Sequence, residues 1–191
     1  MARVRIGRLS GPDIPPSRPL SRQPSPAARC IAVIGGSSAP PEVTRAAETV
    51  GRELARAGAD LVCGGLGGVM EAACRGAREA GGFTIGILPG EDRREANPWV
   101  ACAIPTGLGH FRNFLVVRAA DGVIALPGAS GTLSEAAMAR TLGKPVVTVL
   151  QATGEWTVPG VLAAGSAVEA VRLILEATRD VRSTREDHRE S

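Results

Sequence analysis

Three glycine-rich stretches are the part of this sequence whose residue types and spacing could do chemistry. They occupy residues 35–38 (GGSS), 64–68 (GGLGG) and 127–132 (PGASGT), and each follows an apolar run and precedes a stretch of helical periodicity. Such a loop lets the backbone approach a phosphate closely, while the N–H groups and the positive dipole end of the next helix point at it. One such loop is usually a tight connection, but three predict a site for an anionic ligand. The loop residues expected to contact that ligand are Gly35, Ser37, Gly64, Gly65, Gly67 and Ser130.

Other phosphate-dependent chemistries do not fit these loops. The sequence has no G-x-x-x-x-G-K-[ST] motif, and GGSSAP follows the first apolar run where a dinucleotide-binding fold has G-x-G-x-x-G. ATP hydrolysis and NAD redox chemistry are therefore not expected. A pyridoxal phosphate enzyme needs a Schiff-base lysine, and the single lysine, Lys144, precedes an expected strand at the opposite edge of the sheet. This position argues against amino-acid decarboxylation, and no cofactor is expected.

The cysteines form no metal or redox motif. Cys30, Cys63, Cys74 and Cys102 are 33, 11 and 28 residues apart, so the sequence contains no C-x-x-C pair and predicts no metal site. We interpret each as a small core residue of a cytoplasmic protein in a reducing compartment. No apolar run has the length of a signal-peptide core or a transmembrane helix, so no membrane partner is expected.

The net charge of +3 is unevenly distributed. Residues 1–29 contain six arginines and one aspartate, a net +5, so the rest of the chain, with 16 basic and 18 acidic residues, carries −2. The first segment is also rich in proline, and we expect it to be a disordered extension. A folded domain is expected over residues 30–179, with a polar tail over residues 180–191. Because the basic charge lies outside the folded domain, nucleic acid is not an expected partner.

The order of elements predicts the fold class. Short β-branched apolar runs alternate with longer stretches of helical periodicity, which is typical of βαβ units. The expected strands are residues 30–34, 61–63, 84–88, 100–104, 122–126 and 146–150. The expected helices are residues 42–57, 69–80, 109–119, 133–142 and 166–178, the last with a Ser166–Glu169 capping box. We predict a single-domain α/β protein with a doubly wound, mostly parallel sheet, whose ligands bind beyond the carboxyl ends of the strands.

Three stretches of the sequence carry a resemblance to a known family. Residues 64–71 (GGLGGVME), the pair Arg112-Asn113 and residues 126–135 (LPGASGTLSE) look like the motifs of the LONELY GUY (LOG) superfamily. The resemblance implies a Rossmann-like fold, a homodimer or higher homo-oligomer, and hydrolysis of nucleoside 5′-monophosphates to free base and ribose 5-phosphate. It places Arg112 and Glu135 at the catalytic positions. The residues to which it assigns phosphate binding are Gly128, Gly131 and Thr132.

The sequence around these motifs is more similar to one branch of that superfamily. Residues 86–92 (GILPGED) and Arg112-Asn113 resemble the branch that includes molybdenum cofactor carrier proteins, which bind a pterin phosphate without cleaving it. Asn113, Ala129 and Ser134 differ from the family pattern, and these differences bear on catalysis more than on binding. The sequence therefore leaves two functions open, a phosphoribohydrolase and a non-catalytic carrier or sensor.

Each candidate catalytic residue also has a purely structural interpretation. Thr132 and Glu135 have the spacing of a capping box, in which the glutamate would bond the first amide of its own helix. Arg112 is expected in the first turn of its helix, where the dipole disfavours a cation, so it either binds an anion or extends into solvent. Glu71 and His110, both near expected helix starts, are weaker candidates.

Overall fold

The structure, a computed structural model, describes residues 28–149 and 158–187. The expected leader, except for its last two residues, lies outside the described part of the chain. The strands are β1 (Cys30–Ile34), β2 (Asp60–Cys63), β3 (Thr84–Leu88), β4 (Cys102–Pro105), β5 (Gly122–Ala125), β6 (Val146–Val149) and β7 (Leu162–Ala164). The helices are α1 (Pro41–Arg56), α2 (Val69–Glu79), α3 (Asn113–Ala119), α4 (Ser130–Thr141) and α5 (Ala167–Asp187).

The strands form one parallel sheet in the order β4-β3-β2-β1-β5-β6-β7. The chain runs outward from β1 to β4 on one side and then returns to place β5 on the other side of β1, in register Ile31 to Gly122. This is the doubly wound, single-sheet α/β fold that the alternation of elements predicts. Between β1 and β5 the direction of winding reverses, which is where open α/β sheets bind ligands.

Helices cover both faces of the sheet. α1, α2 and α5 pack on one face, where Leu54, Ile124 and Ile174 are fully buried, and α3 and α4 pack on the other around Val116 and Ala136. Every residue of β2 and β5 is buried, which explains the continuous apolar runs read from the sequence. At about 25 cal/mol per Å² of buried apolar surface, these central strands and the helices over them supply most of the hydrophobic stabilisation.

Helices α1 and α2 make backbone contact at two glycines. A Cβ atom added to Gly51 would stand 1.9 Å from the carbonyl oxygen of Ala73, and one added to Gly76 would stand 1.9 Å from that of Glu48. No side chain fits at either point, so the two helices lie closer together than side-chain packing allows. This contact fixes α2, and with it the loop that leads into α2, against the rest of the domain.

Some element boundaries differ from those expected. α4 begins at Ser130 instead of residue 133, because the amides of Thr132 and Leu133 already bond to the carbonyl of Ala129. The helix expected from residue 109 is a 3-10 turn, Gly109–Arg112, followed by α3. β4 starts two residues late, since the Val100 amide is held in a turn by the carbonyl of Asn97.

Two differences lie at the edges of the fold. β7 was not expected from the sequence, because it is a three-residue edge strand with two exposed positions. α5 continues past residue 178 to Asp187, so the first part of the expected polar tail is helical, and residues 188–191 lie outside the described chain. The Ser166–Glu169 pair does form at the start of α5, where the Glu169 amide donates to Ser166 Oγ at 3.2 Å.

The cysteines do not all belong to the core. Cys63 and Cys74 are buried with their sulfur atoms 3.5 Å apart, and Cys30 is half-buried. Cys102 is exposed on the edge strand β4, so its assignment to the core was wrong. An edge strand has no neighbour on one side, and apolar residues on it remain open to solvent. Among the described residues, no helix combines the length and apolar character needed to cross a membrane.

Candidate functional site

The three glycine-rich loops meet at one edge of the sheet. They follow β1, β2 and β5, which are the adjacent central strands in the order β2-β1-β5. Gly36 connects all three loops, because its amide donates to the carbonyl of Pro127 at 3.2 Å and its carbonyl accepts from the amide of Val69 at 3.0 Å. The loops are therefore one hydrogen-bonded unit at the carboxyl ends of the strands.

A cavity of about 300 Å³ opens between these loops. Most of the residues predicted from the sequence line it, namely Gly35, Ser37, Gly64, Ser130, Gly131 and Thr132 together with Arg112 and Glu135. The other lining residues are Val33, Ile34, Gly36, Leu66, Met70, His110, Asn113 and Ala129. Gly65, Gly67 and Gly128 do not line it. The cavity is thus bordered by the first residues of α3 and α4, one guanidinium group and one carboxyl group.

The predicted glycines outside the lining shape the loops beneath it. Gly65 has a φ of +73° and packs so closely on Leu88 that a Cβ would stand 2.6 Å from its side chain. At Gly128 a Cβ would stand 2.1 Å from the hydroxyl of Thr132 and 2.9 Å from the amide of Gly36. Both positions exclude larger residues for reasons of backbone geometry and close approach.

Arg112 is a buried cation that lines the cavity. Its exposed fraction is 7%, and it lies at the end of the 3-10 turn that precedes α3. Nη1 donates to Oδ1 of Asn113 at 2.8 Å, whereas the buried Nε has no hydrogen-bond partner in the described part of the chain. Burial lowers the pKa of Arg112, and the neighbouring Glu135 and Cys63 act in the opposite direction. The alternative in which this side chain extends into solvent is wrong.

Glu135 is a buried carboxyl group in the second turn of α4. Its exposed fraction is 7%, and burial raises its pKa to about 7, an effect that the charge of Arg112 partly opposes. Its carboxyl group forms neither a hydrogen bond nor an ion pair with Arg112. The predicted Thr132–Glu135 capping box is wrong, because α4 begins two residues before Thr132 and has no side-chain cap. Glu135 therefore lines the cavity with a pKa raised to about 7, a value that suits an acid–base residue at neutral pH.

Two asparagines support the site in ways that the sequence did not indicate. Asn97, 9% exposed, donates from Nδ2 to the carbonyls of Gly65 and Leu66 at 3.2 and 2.9 Å, and so holds the second loop. Asn113, considered above only as a difference from the family pattern, holds the guanidinium of Arg112. An asparagine in a turn is common, so the sequence gives no signal for either role.

The weaker candidates have different positions. His110 lines the cavity, whereas Glu71 does not. Lys144 is 5% exposed, and its Nζ donates to the carbonyls of Val117, Arg118 and Ala120 at the end of α3. This end of α3 leads into β5 and so lies at the opposite edge from the cavity, as predicted. In the described chain, no three metal-ligating side chains come together.

A doubly wound parallel sheet with its cavity at the reversal of strand order defines a Rossmann-like α/β protein. The chain belongs to the SLOG cluster4 family, whose model matches residues 28–179. This family relationship supports the coarser part of the resemblance, a SLOG/LOG-like superfamily relationship. Membership of the LOG group itself stays a prediction.

Relatives of known structure include molybdenum cofactor proteins. The molybdenum cofactor binding protein of the phototrophic bacterium Rippkaea orientalis is 36% identical with a TM-score of 0.74, over 80% of this chain and 98% of that one. The molybdenum cofactor carrier protein of Chlamydomonas reinhardtii is 30% identical with a TM-score of 0.72, over 78% and 98% of the two chains. An uncharacterised protein of Archaeoglobus fulgidus is 40% identical over 119 residues, 62% of this chain and 78% of the relative.

Proposed function

We propose that this protein binds the phosphate group of a pterin- or nucleotide-type ligand in the loop cavity and carries that ligand without cleaving it. Molybdenum cofactor, which combines a pterin with a phosphate, is the leading candidate. The observation that carries the proposal is the buried Arg112, whose Nε lacks a partner within the described chain beside a cavity bordered by helix starts. A phosphate would pair this cation and accept from the loop amides.

The comparisons support the carrier function rather than catalysis. Both molybdenum cofactor proteins above match this chain over almost their whole length, at 36% and 30% identity. The chain also has asparagine beside the site arginine, where the hydrolase pattern usually has lysine. Asn113 uses its carbonyl oxygen to hold Arg112, which a lysine could not do because it has no acceptor.

A second candidate, hydrolysis of a nucleoside 5′-monophosphate, is favoured by Glu135. Its carboxyl group lines the same cavity, and a pKa of about 7 allows it to accept a proton at neutral pH. In this reaction Glu135 would take a proton from water as the water attacks C1′ of the ribose. The base would leave with the electron pair of the N-glycosidic bond and take up a proton. The products would be the free base and ribose 5-phosphate.

One experiment separates the two functions. The purified protein is incubated with AMP, a pterin monophosphate and inorganic phosphate, its melting temperature is followed, and ribose 5-phosphate and free base are measured by mass spectrometry. A carrier is stabilised by a phosphate ligand that is recovered intact. Release of ribose 5-phosphate by the wild type, and not by Glu135→Gln, would instead support the hydrolase. If none of these compounds raises the melting temperature of the protein or is consumed, both proposals fail.

A matched pair of variants assigns the effect to the site. Arg112→Gln removes the buried cation of the cavity, while Arg118→Gln removes an exposed arginine from α3 and changes the net charge equally. We expect ligand stabilisation to disappear only in Arg112→Gln. Equal loss in both variants would mean that overall charge, and not this cavity, binds the anion. A homo-oligomer and a cytoplasmic location remain further parts of this proposal.

A further inference from the structure

A second cavity adjoins the first. It measures about 570 Å³ and shares four lining residues with the loop cavity, His110, Asn113, Ser130 and Gly131. The two cavities are therefore neighbours at the start of α4. A ligand whose phosphate lies among the loops would extend its remaining atoms toward this second space.

The outer part of the second cavity is aromatic. Phe111 and Phe114 line it, with exposed fractions of 85% and 44%, and Met138 lies beside them. This placement is unusual, because the whole chain has three phenylalanines, two tryptophans and no tyrosine. Two of its five aromatic side chains are thus left in solvent next to a ligand cavity, although burial would stabilise the fold.

Polar atoms lie between the aromatic face and the loops. Asn113 lines both cavities, and because its Oδ1 accepts from Arg112, its amide N–H groups remain as donors. His110 and Ser130 line both cavities as well. An apolar face with a few convergent polar groups at one side is typical of sites that bind a flat ring by its face and by its heteroatoms.

We propose that this second cavity binds the planar heterocyclic ring of the phosphate ligand, with the ring stacked on Phe111 and Phe114. This inference rests on the proposed function and deepens it, because it limits the ligand to phosphates that carry an aromatic or pterin-like ring. Phe111 and Phe114 line a cavity that shares four residues with the loop cavity, which favours the ligand as its occupant over a second copy of this chain.

The test compares ligands with and without a ring. Affinities of wild type and of the double variant Phe111→Ala/Phe114→Ala are measured by calorimetry for ribose 5-phosphate, AMP and a pterin monophosphate. We expect the double variant to bind the ring-bearing ligands at least about 10-fold more weakly than the wild type does, since base–aromatic stacking has this magnitude. Its affinity for ribose 5-phosphate should be unchanged. Phe111→Trp should retain ring binding. Val168→Ala, which removes an exposed apolar group from α5, is the control and should change nothing.

The outcomes distinguish this inference from the proposed function. If the wild type binds ribose 5-phosphate and binds the ring-bearing ligands no more tightly, the aromatic subsite is overturned while phosphate binding stands. If the double variant becomes monomeric in sedimentation while its ring-ligand affinity is unchanged, the face is a self-association surface and the inference is wrong. If the wild type binds none of the three ligands, the proposed function fails and this inference fails with it.

Discussion

The guanidinium group of Arg112 packs directly against the α-carbon of Gly64. A Cβ atom at Gly64 would stand 2.4 Å from Nη2 and 2.6 Å from Nη1, so the cation occupies the space that any side chain at residue 64 would need. The glycine that follows β2 and the arginine that precedes α3 therefore form one structural unit. Their contact sets where the positive charge lies in the cavity.

This contact makes Gly64→Ala a test of the site. The backbone at Gly64 has no positive φ, so alanine fits the chain conformation but displaces the guanidinium. We expect phosphate-ligand affinity to fall on the order of 10- to 100-fold, the magnitude of a lost charged hydrogen bond, as measured by calorimetry. Gly165→Ala, where the nearest atom would be 3.4 Å away, is the control. Unchanged affinity in Gly64→Ala would show that Arg112 does not contact the ligand.

Glu135 should make the stability of the empty protein pH-dependent. Its pKa rises from 4.5 to about 7 on folding, so between these values the folded state binds a proton that the unfolded state lacks. Stability should fall as pH rises through this window, by up to about 3 kcal/mol. Glu135→Gln should remove this slope and be the more stable protein at pH 8. Urea unfolding of both proteins at pH 5 and pH 8 measures this change in the free energy of unfolding.

The pH prediction has an independent check. In protein carrying ¹³C-labelled glutamate, one carboxyl signal should titrate near pH 7 and be missing in Glu135→Gln. Equal pH slopes of unfolding in the two proteins, together with no such signal, would contradict the assignment. A ligand phosphate beside the carboxyl should raise the titration midpoint further, because like charges disfavour ionisation.

Lys144 should matter for stability and not for binding. Its ammonium group donates to three carbonyls at the end of α3, and Lys144→Met would leave these buried acceptors without that donor. We expect a loss of about 3 kcal/mol in the free energy of unfolding and unchanged ligand affinity. Arg118→Met, at an exposed position of the same helix, should change stability by less than about 0.5 kcal/mol. A large affinity loss in Lys144→Met would contradict its placement at the opposite edge.

The contact between α1 and α2 should not tolerate a methyl group. Alanine in a helix is favoured over glycine by up to about 1 kcal/mol, yet at Gly76 the added Cβ would overlap the Glu48 carbonyl at 1.9 Å. We expect Gly76→Ala to lower the free energy of unfolding by about 2–3 kcal/mol. Gly131→Ala should lose no stability, because this position is helical and the added Cβ would stand 3.7 Å from the nearest atom, Nδ2 of Asn113. Thermal and urea unfolding compare the two variants.

The sequence predicts the sheet well because its information is local. The strands β1, β2 and β5 are apolar runs followed by glycine-rich loops, and the parallel order brings these loops to one edge. β7 could not be predicted from the sequence, because its own residues show no clear strand pattern. It is a strand because it pairs with β6. The start of α4 was misplaced because the Ala129 carbonyl, and no side chain, caps it.

The site is predictable in its residue types but not in its electrostatics. Arg112 and Glu135 were identified from their motifs, whereas their burial depends on helices that pack on the second face of the sheet. That burial leaves Nε without a partner and raises the pKa of Glu135. Asn97 acts on two carbonyls that lie 32 and 31 residues away in sequence, and nothing in its local pattern indicates this.

The loops that form the cavity extend from central strands, each paired on both sides. Amide hydrogens in such strands exchange with solvent only when the whole domain unfolds. A ligand bound to these loops would therefore slow exchange across the entire sheet, in proportion to ligand concentration over its dissociation constant. Ligand binding would therefore stabilise the whole domain against unfolding. We expect proteases to digest the ligand-free form before the ligand-bound form.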